Sequence, residues 1–353
     1  MCLPTNALVL AFARFDRRPC FTQAWNTGGV THLRARRRLR TMLCVPPHPS
    51  PLPQRHGIDA AWVRTPGPGP EGTPPWSTMR EFLLDRLPAA AEVERRLAAG
   101  EFVDQQGHPW SGDEAYRPHT FVWFHRPLAG ETRVPFPLGI LDRTDNLVVV
   151  DKPHFMATTP RGAHVTETAL VKLRLALDLP ELAPAHRLDR LTAGVLVFTT
   201  HRGCRGAYAG AFQSRSVAKT YEAVARFDPE LTFPRRLVGR IEKRRGSLQA
   251  QLVAGEPNAD TLVELVEVRG GYARYRLTPI TGKTHQLRLQ MADAGLPLVG
   301  DPLYPEVRED TPDDYADPLR LVARRLQFTD PLDGVERDYT SGRTLAWPAD
   351  VRR

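Results

Sequence analysis

Between Lys219 and Ile280 the chain offers four apolar runs of strand length, "KTYEAVARF", "SLQAQLV", "TLVELVEV" and "YARYRLTPI", and no helical window between them. Parallel neighbours need a crossover of about a dozen residues or more, normally a helix, whereas antiparallel neighbours need only a turn. The stretch therefore predicts an antiparallel meander. Upstream, "LGILDRTDNLVVVDKP" reads as strand, Asp/Asn turn and strand, stopped by Pro153. From Pro135 onward helical spacing is confined to "TETALVKLRLALD" with Thr166 as its cap, "RGAYAGAFQ" and "THQLRLQMADAG". Many strands with few crossover helices predict an α+β fold: a mixed, mainly antiparallel sheet with flanking helices.

The 353 residues suffice for one large domain and a small one. Residues 1 to 75 lack sustained periodicity, and ten of the 33 prolines fall between Cys44 and Pro75, which predicts an extended or disordered Pro/Arg-rich leader. Its "RARRRLR" run, Arg34 to Arg40, suits a nucleic-acid arm or a solvated tail, and Met42 is an alternative start. A compact pattern begins at Ser77. "STMREFLLDRL" places Glu81 after a Ser-Thr pair at the spacing of a capping box, and "AAAEVERRLAAGEFVDQQG" continues as helix, glycine stop, strand and turn. This 76–130 segment resembles a degenerate form of the small RNA-binding helix-hairpin module first described in a small-subunit ribosomal protein; a plain accessory cap is the alternative. The main domain is expected over 135–353, including a C-terminal extension.

Charge points to a polyanionic partner, and its distribution says more than its total. The net charge is +8, but residues 1 to 60 hold nine arginines against Asp16 and Asp59, leaving +1 for the remainder. Within that remainder, 186 to 250 hold thirteen Lys/Arg against five acids, and 300 to 317 hold seven acids against Arg308. Cys2, Cys20, Cys44 and Cys204 show neither C-x-x-C spacing nor histidine partnering, which argues against a zinc site or a disulfide framework. No apolar run approaches the roughly 20 residues of a membrane span. "ALVLAFA" lacks the flanks of a signal peptide, so a cytoplasmic protein with reduced thiols is expected.

The basic region opens with "HRLDRLTAGVLVF" at 186–198, which is similar to the HRLDxxTSGLLL signature of the RluA family of pseudouridine synthases. "LVVVDKP" at 147–153, "KTYEA" at 219–223, "GKTHQLRLQMA" at 282–292 and "GDPLYP" at 300–305 resemble that family's other elements in the same order. The resemblance spans roughly Pro135 to Phe328. Ala193 stands where the family usually has serine and Gln290 where histidine is common, and both departures bear on packing more than on chemistry.

The resemblance implies a pseudouridine synthase-like fold with a central basic cleft, and an isomerase that uses no metal or organic cofactor. The reaction detaches uracil from ribose, turns the base over and rejoins it through carbon five. A carboxylate can serve it as nucleophile or as base, and Asp189 corresponds to the family's indispensable aspartate. Arg288 corresponds to its cationic partner, and a cation within about 4 to 6 Å favours the ionised carboxylate. Tyr221 corresponds to the tyrosine that stacks on uracil and assists proton removal from carbon five. A base within a stem must be flipped out, at a cost of a few kcal/mol. Arg187 corresponds to the arginine that fills the gap, its planar guanidinium stacking like a base. His186, Arg190, Lys219 and His285 complete the substrate-binding set, although the two histidines better suit a structural or loop-organising role, having no metal-ligand companion at a useful spacing.

Singly, each residue has a plainer reading: Asp189 as a surface ion pair, Tyr221 as a strand aromatic, Arg288 as a solvated helix face. Their order after "HRLDR" decides for chemistry. "GKT" at 282–284 is not a phosphate-binding loop, because Leu277 stands where that loop needs glycine, and "HRLD" has neither the D-F-G nor the glycine-rich loop of a kinase. The remaining alternative is a catalytically silent RNA-binding or ribosome assembly protein on the same fold. The expected partner is ribosomal RNA, with transfer RNA second, and the expected state is a monomer by analogy.

Overall fold

The computed structural model describes residues 49–67, 76–128, 130–244, 246–308 and 313–348. They form two compact units, one reaching Gly130 and including Arg161–Ala163, the other comprising Glu131–Pro160 and the chain from His164 onward. The Arg34–Arg40 run and Met42 lie outside the described residues.

In the first unit, β1 (Ala61–Arg64) precedes α1 (Met79–Arg86), a 3-10 turn at Ala89–Ala91 and α2 (Val93–Ala98), and β2 (Phe121–Phe124) returns antiparallel to β1. Thr78 caps α1, its Oγ1 accepting the Glu81 N–H at 3.2 Å, and the Glu81 carboxylate reaches back one residue beyond the cap to accept the Ser77 N–H at 2.6 Å. The turn at "EFVDQQGHPW" closes as a small hairpin, Trp110 N–H donating to Phe102 O at 2.8 Å and Asp104 N–H to His108 O at 2.9 Å. Met79, Phe82, Leu83, Leu97, Phe102 and Phe124 share its core. The expectation of an extended leader through residue 75 is corrected over Ala61–Arg64. Four residues are too few to show periodicity, and the strand exists because its partner β2 is supplied from far along the chain.

The second unit carries β3 (Gly139–Arg143), β4 (Leu147–Lys152), α3 (Ala169–Leu177), β5 (Ala183–Pro184), β6 (Ala193–Thr199), α4 (Arg202–Gln213), β7 (Ala218–Arg226), β8 (Arg235–Glu242), β9 (Gln251–Val253), β10 (Ala259–Arg269), β11 (Tyr272–Pro279), α5 (Gln286–Asp293), β12 (Leu321–Thr329) and β13 (Glu336–Thr340). All its strands join one sheet in the order β3-β4-β6-β12-β7-β11-β10-β8-β9, with β5 on β6 and β13 on β12. Among the described residues, β6 with β12 is the parallel pair and every other strand pairing is antiparallel. The α+β expectation is thus met.

Alternation sorts the side chains of β4 and β6 to two faces. Val148, Val150, Leu196 and Phe198 meet Leu170 and Leu173 of α3 and Leu287 and Met291 of α5. Leu147, Val149, Val195 and Val197 meet Cys204 and Tyr208 of α4. Gly194 allows β12 to close on β6: its φ is +115°, and a Cβ there would lie 2.2 Å from Ala323 O. The cap of α3 is Thr168, which accepts the Val171 N–H at 3.3 Å, and not Thr166. The N–H groups of Val165, Thr166 and Glu167 instead donate to the Glu131 carboxylate at 2.7 to 3.1 Å.

Candidate active site

Asp189 lies on the loop that enters β6, and that loop is fastened from beneath. Thr158 Oγ1 donates to Leu188 O at 2.8 Å and accepts the Leu188 N–H at 3.2 Å. Asp189 O accepts the Thr192 N–H at 3.1 Å. Lys152, wholly buried at the end of β4, donates from Nζ to Pro153 O, Met156 O and Arg190 O at 2.9, 2.7 and 3.2 Å. His154 Nδ1 donates to Leu191 O at 2.7 Å. Every carbonyl from Leu188 to Leu191 therefore has a donor, and little freedom remains in the backbone that carries the carboxylate.

Arg288 of α5 faces that carboxylate. Its Nη1 stands 3.6 Å from Asp189 Oδ2, while Nε and Nη2 make a two-point bond to Asp301 at 2.8 and 2.6 Å. Arg288 is 2% exposed and the Asp189 side chain 32%, so the cation is enclosed and the carboxylate reaches solvent. Burial works against the charge on Arg288, and the Asp301 bonds together with Asp189 outweigh it and hold its pKa above the ordinary value. Asp301 accepts the N–H groups of Leu303 and Tyr304 as well, at 2.8 and 3.2 Å. Tyr304 lies under the guanidinium, 5.4 Å from ring centre to Cζ.

His285, at φ +57° ahead of α5, places Nε2 4.0 Å from Asp189 Oδ2 and Nδ1 3.0 Å from the Tyr304 hydroxyl. Burial lowers its pKa against the opposing pull of Asp189, which favours a neutral ring at pH 7. Tyr221 projects from β7 into the same field: burial and then the Asp189 charge raise its pKa, so it stands as a phenol.

Asp189, Arg288, His285 and Tyr221 are therefore brought together, and the other expected residues stand differently. Arg187 is exposed, with no side-chain hydrogen bond or ion pair among the described residues. Arg190 is tied to Asp313 through both terminal nitrogens, at 2.6 and 2.9 Å. Lys219 lies over the Phe212 ring at 5.4 Å, and burial lowers its pKa. His186, counted in the substrate-binding set, instead makes contacts of the structural kind that its sequence setting favoured. Its Nε2 accepts the Val197 N–H at 3.2 Å, its ring stacks on Phe212 at 4.5 Å, and burial lowers its pKa to about 3. Ala193 packs with Val224, Val322, Leu345 and Trp347, and Gln290 bridges Thr261 and Leu237 O, so neither departure from the family pattern alters the site. Lys152, Asp301 and Tyr304 were not singled out from sequence, although "DKP" and "GDPLYP" contain them; a buried polar residue within a short motif was the available signal.

Residues 146–293 match the family model described as RNA pseudouridylate synthase. The chain is similar to the dual-specificity RNA pseudouridine synthase RluA of Escherichia coli, 31% identical over 229 residues, covering 60% of this chain and 94% of that protein. It is also similar to ribosomal large subunit pseudouridine synthase D of Neisseria meningitidis, 29% identical, and to human pseudouridylate synthase RPUSD2, 30% identical. These matches span only 56% and 31% of those two relatives. Among solved structures, human RNA pseudouridylate synthase domain containing 1 aligns over 61% of this chain and 86% of its own, with 24% identity and a TM-score of 0.48. The match to RluA, 31% identical over 94% of that protein, establishes kinship, and the chain belongs to the RluA family of RNA pseudouridine synthases.

Proposed function

We propose that the protein isomerises specific uridines to pseudouridine in structured RNA, with ribosomal RNA as the first candidate substrate and transfer RNA as the second. The observation that carries this reading is the Asp189 carboxylate, open to solvent on a pinned loop, with Arg288 Nη1 at 3.6 Å behind it. That arrangement suits attack on, or proton abstraction from, the ribose, because an ionised and immobile carboxylate serves both. Tyr221 offers a ring face for the uracil, and its raised pKa makes it a stacking phenol in preference to a phenolate base. Arg187, exposed two residues before the carboxylate, fills the place of the flipped nucleotide. His285 orients Asp189, and Lys219 supports β7 beside Tyr221. The protein acts as a monomer in the cytoplasm, and its 76–130 segment adds RNA contacts outside the catalytic domain.

Among the described residues no helix is long and apolar enough to cross a membrane. The names of the relatives, a large-subunit ribosomal enzyme and a dual-specificity one, support the two candidate substrates. The test is pseudouridine detection by mass tagging in RNA incubated with wild type and Asp189→Asn. The variant should lose at least about 10²- to 10⁴-fold in rate. Identical modification by the two proteins would remove Asp189 from the chemistry, and no modification by the wild type would leave the silent RNA-binding reading.

A further inference from the structure

Arg190 follows Asp189 directly, yet in the free protein its guanidinium is engaged. Nη1 and Nη2 donate to Asp313 Oδ2 and Oδ1 at 2.6 and 2.9 Å, a parallel two-point fork. Carboxylate and phosphate present similar paired oxygens to a guanidinium, so Asp313 occupies the place an RNA phosphate would take. The two side chains are 28% and 26% exposed, which leaves the pair accessible from solution.

Asp313 is held over Arg190 by packing of the residues that follow it. Tyr315 meets Phe155 edge-on at 5.0 Å and Phe136 at 6.0 Å, and Asp317 pairs with Arg320 at 2.5 Å. Phe155 adopts φ +65°, a conformation rare for a bulky residue. Two arginines thus flank the carboxylate of the reaction, and they differ: Arg187 is open, whereas Arg190 is closed by an acid.

We propose that Asp313 is a specificity-determining residue: it stands in for an RNA phosphate on Arg190, and only an RNA that delivers a phosphate in fork geometry beside the target uridine displaces it. This rests on RNA being the substrate. An RNA touching the surface diffusely gains too little from Arg190 to break the fork, so Asp313 sets a threshold that a fitting RNA passes and a non-fitting one does not.

The measurement is the salt dependence of binding for two probes, a hairpin cut from the RNA segment that the wild type modifies, and polycytidylate. Arg190→Gln should flatten the slope of log affinity against log salt for the hairpin by about 0.9, one phosphate contact, and leave polycytidylate unchanged. Asp313→Asn should tighten polycytidylate binding and steepen its slope by about 0.7. Asp313→Glu retains the charge and should keep the wild-type slope for polycytidylate, which separates loss of charge from damage to the segment. No gain in Asp313→Asn, an equal gain in Asp313→Glu, or an unchanged hairpin slope in Arg190→Gln each overturns the inference. Wild-type protein that forms no pseudouridine sinks the functional reading and this inference together, whereas activity with unaltered slopes sinks the inference alone.

Discussion

Arg288 divides one side chain between architecture and chemistry. Two of its nitrogens belong to Asp301 and the third faces Asp189, so the position of the carboxylate proposed to react depends on an acid that is wholly buried. Breaking a buried pair by removing one partner costs about 3 to 5 kcal/mol, because the remaining charge stays buried. Asp301→Asn should lower the urea midpoint accordingly and reduce turnover; unchanged stability would mean Arg288 is held by something else. His154 and His186 make a second case at this scale. Burial lowers their pKa values to about 4 and about 3, below the unfolded value near 6.5. Between those limits the unfolded chain takes up protons that the folded one refuses, so stability is complete above about pH 6.5 and is lost as pH falls. Each histidine contributes up to about 1.4 kcal/mol per pH unit in that window. Urea melts at pH 7 and pH 5 should show the loss, and His154→Gln should reduce it; equal stability at both would refute the assignment. Asp189, Tyr221 and Arg288 were legible because their neighbours in sequence form a signature. Asp301 was not, since its meaning lies in a contact with a residue on another element.

Lys152 works between elements, joining the end of β4 to the loop before β6. Lys152→Met keeps the volume and deletes the donor, leaving three carbonyls short of a partner. A displacement of the catalytic loop by about 1 Å costs on the order of 10²-fold in rate. Turnover should therefore fall by about that factor while KM for RNA changes little, because the phosphate contacts lie elsewhere; a rise in KM at constant kcat would contradict a positioning role. Among the elements, β4 and β6 were readable as apolar runs bounded by turns. β8 and β13 were not, for they carry "RRLVGRIE" and "ERDYT", whose charges are satisfied across the sheet by pairs such as Arg236 with Asp260 and Arg325 with Asp338. Thr168 displaced Thr166 as helix cap for a similar reason: Glu131, remote in sequence, claims the Thr166 N–H.

At the scale of the molecule, the thirteen cations between 186 and 250 overstate what RNA can use. Arg190, Arg236 and Arg240 are paired with Asp313, Asp260 and Glu242, and Arg202 lies 3.5 Å from Glu181. Arg187, Arg215, Arg226, Arg235 and Arg244 are exposed with no ion pair among the described residues. About five phosphate contacts correspond to a log-log salt slope of roughly −4 to −5, against nearly −12 if all thirteen took part. A measured slope steeper than about −8 would show that the internal pairs open wholesale. Composition disclosed the charge but not its neutralisation, which depends on which acids the fold carries alongside. The sheet order has one more outcome. Because β12 lies between β6 and β7, the catalytic loop and the Tyr221 strand cannot be joined until residues 321–329 have left the ribosome. In a nascent chain the two halves of the candidate site therefore stay apart until β12 has emerged to fill the place between them.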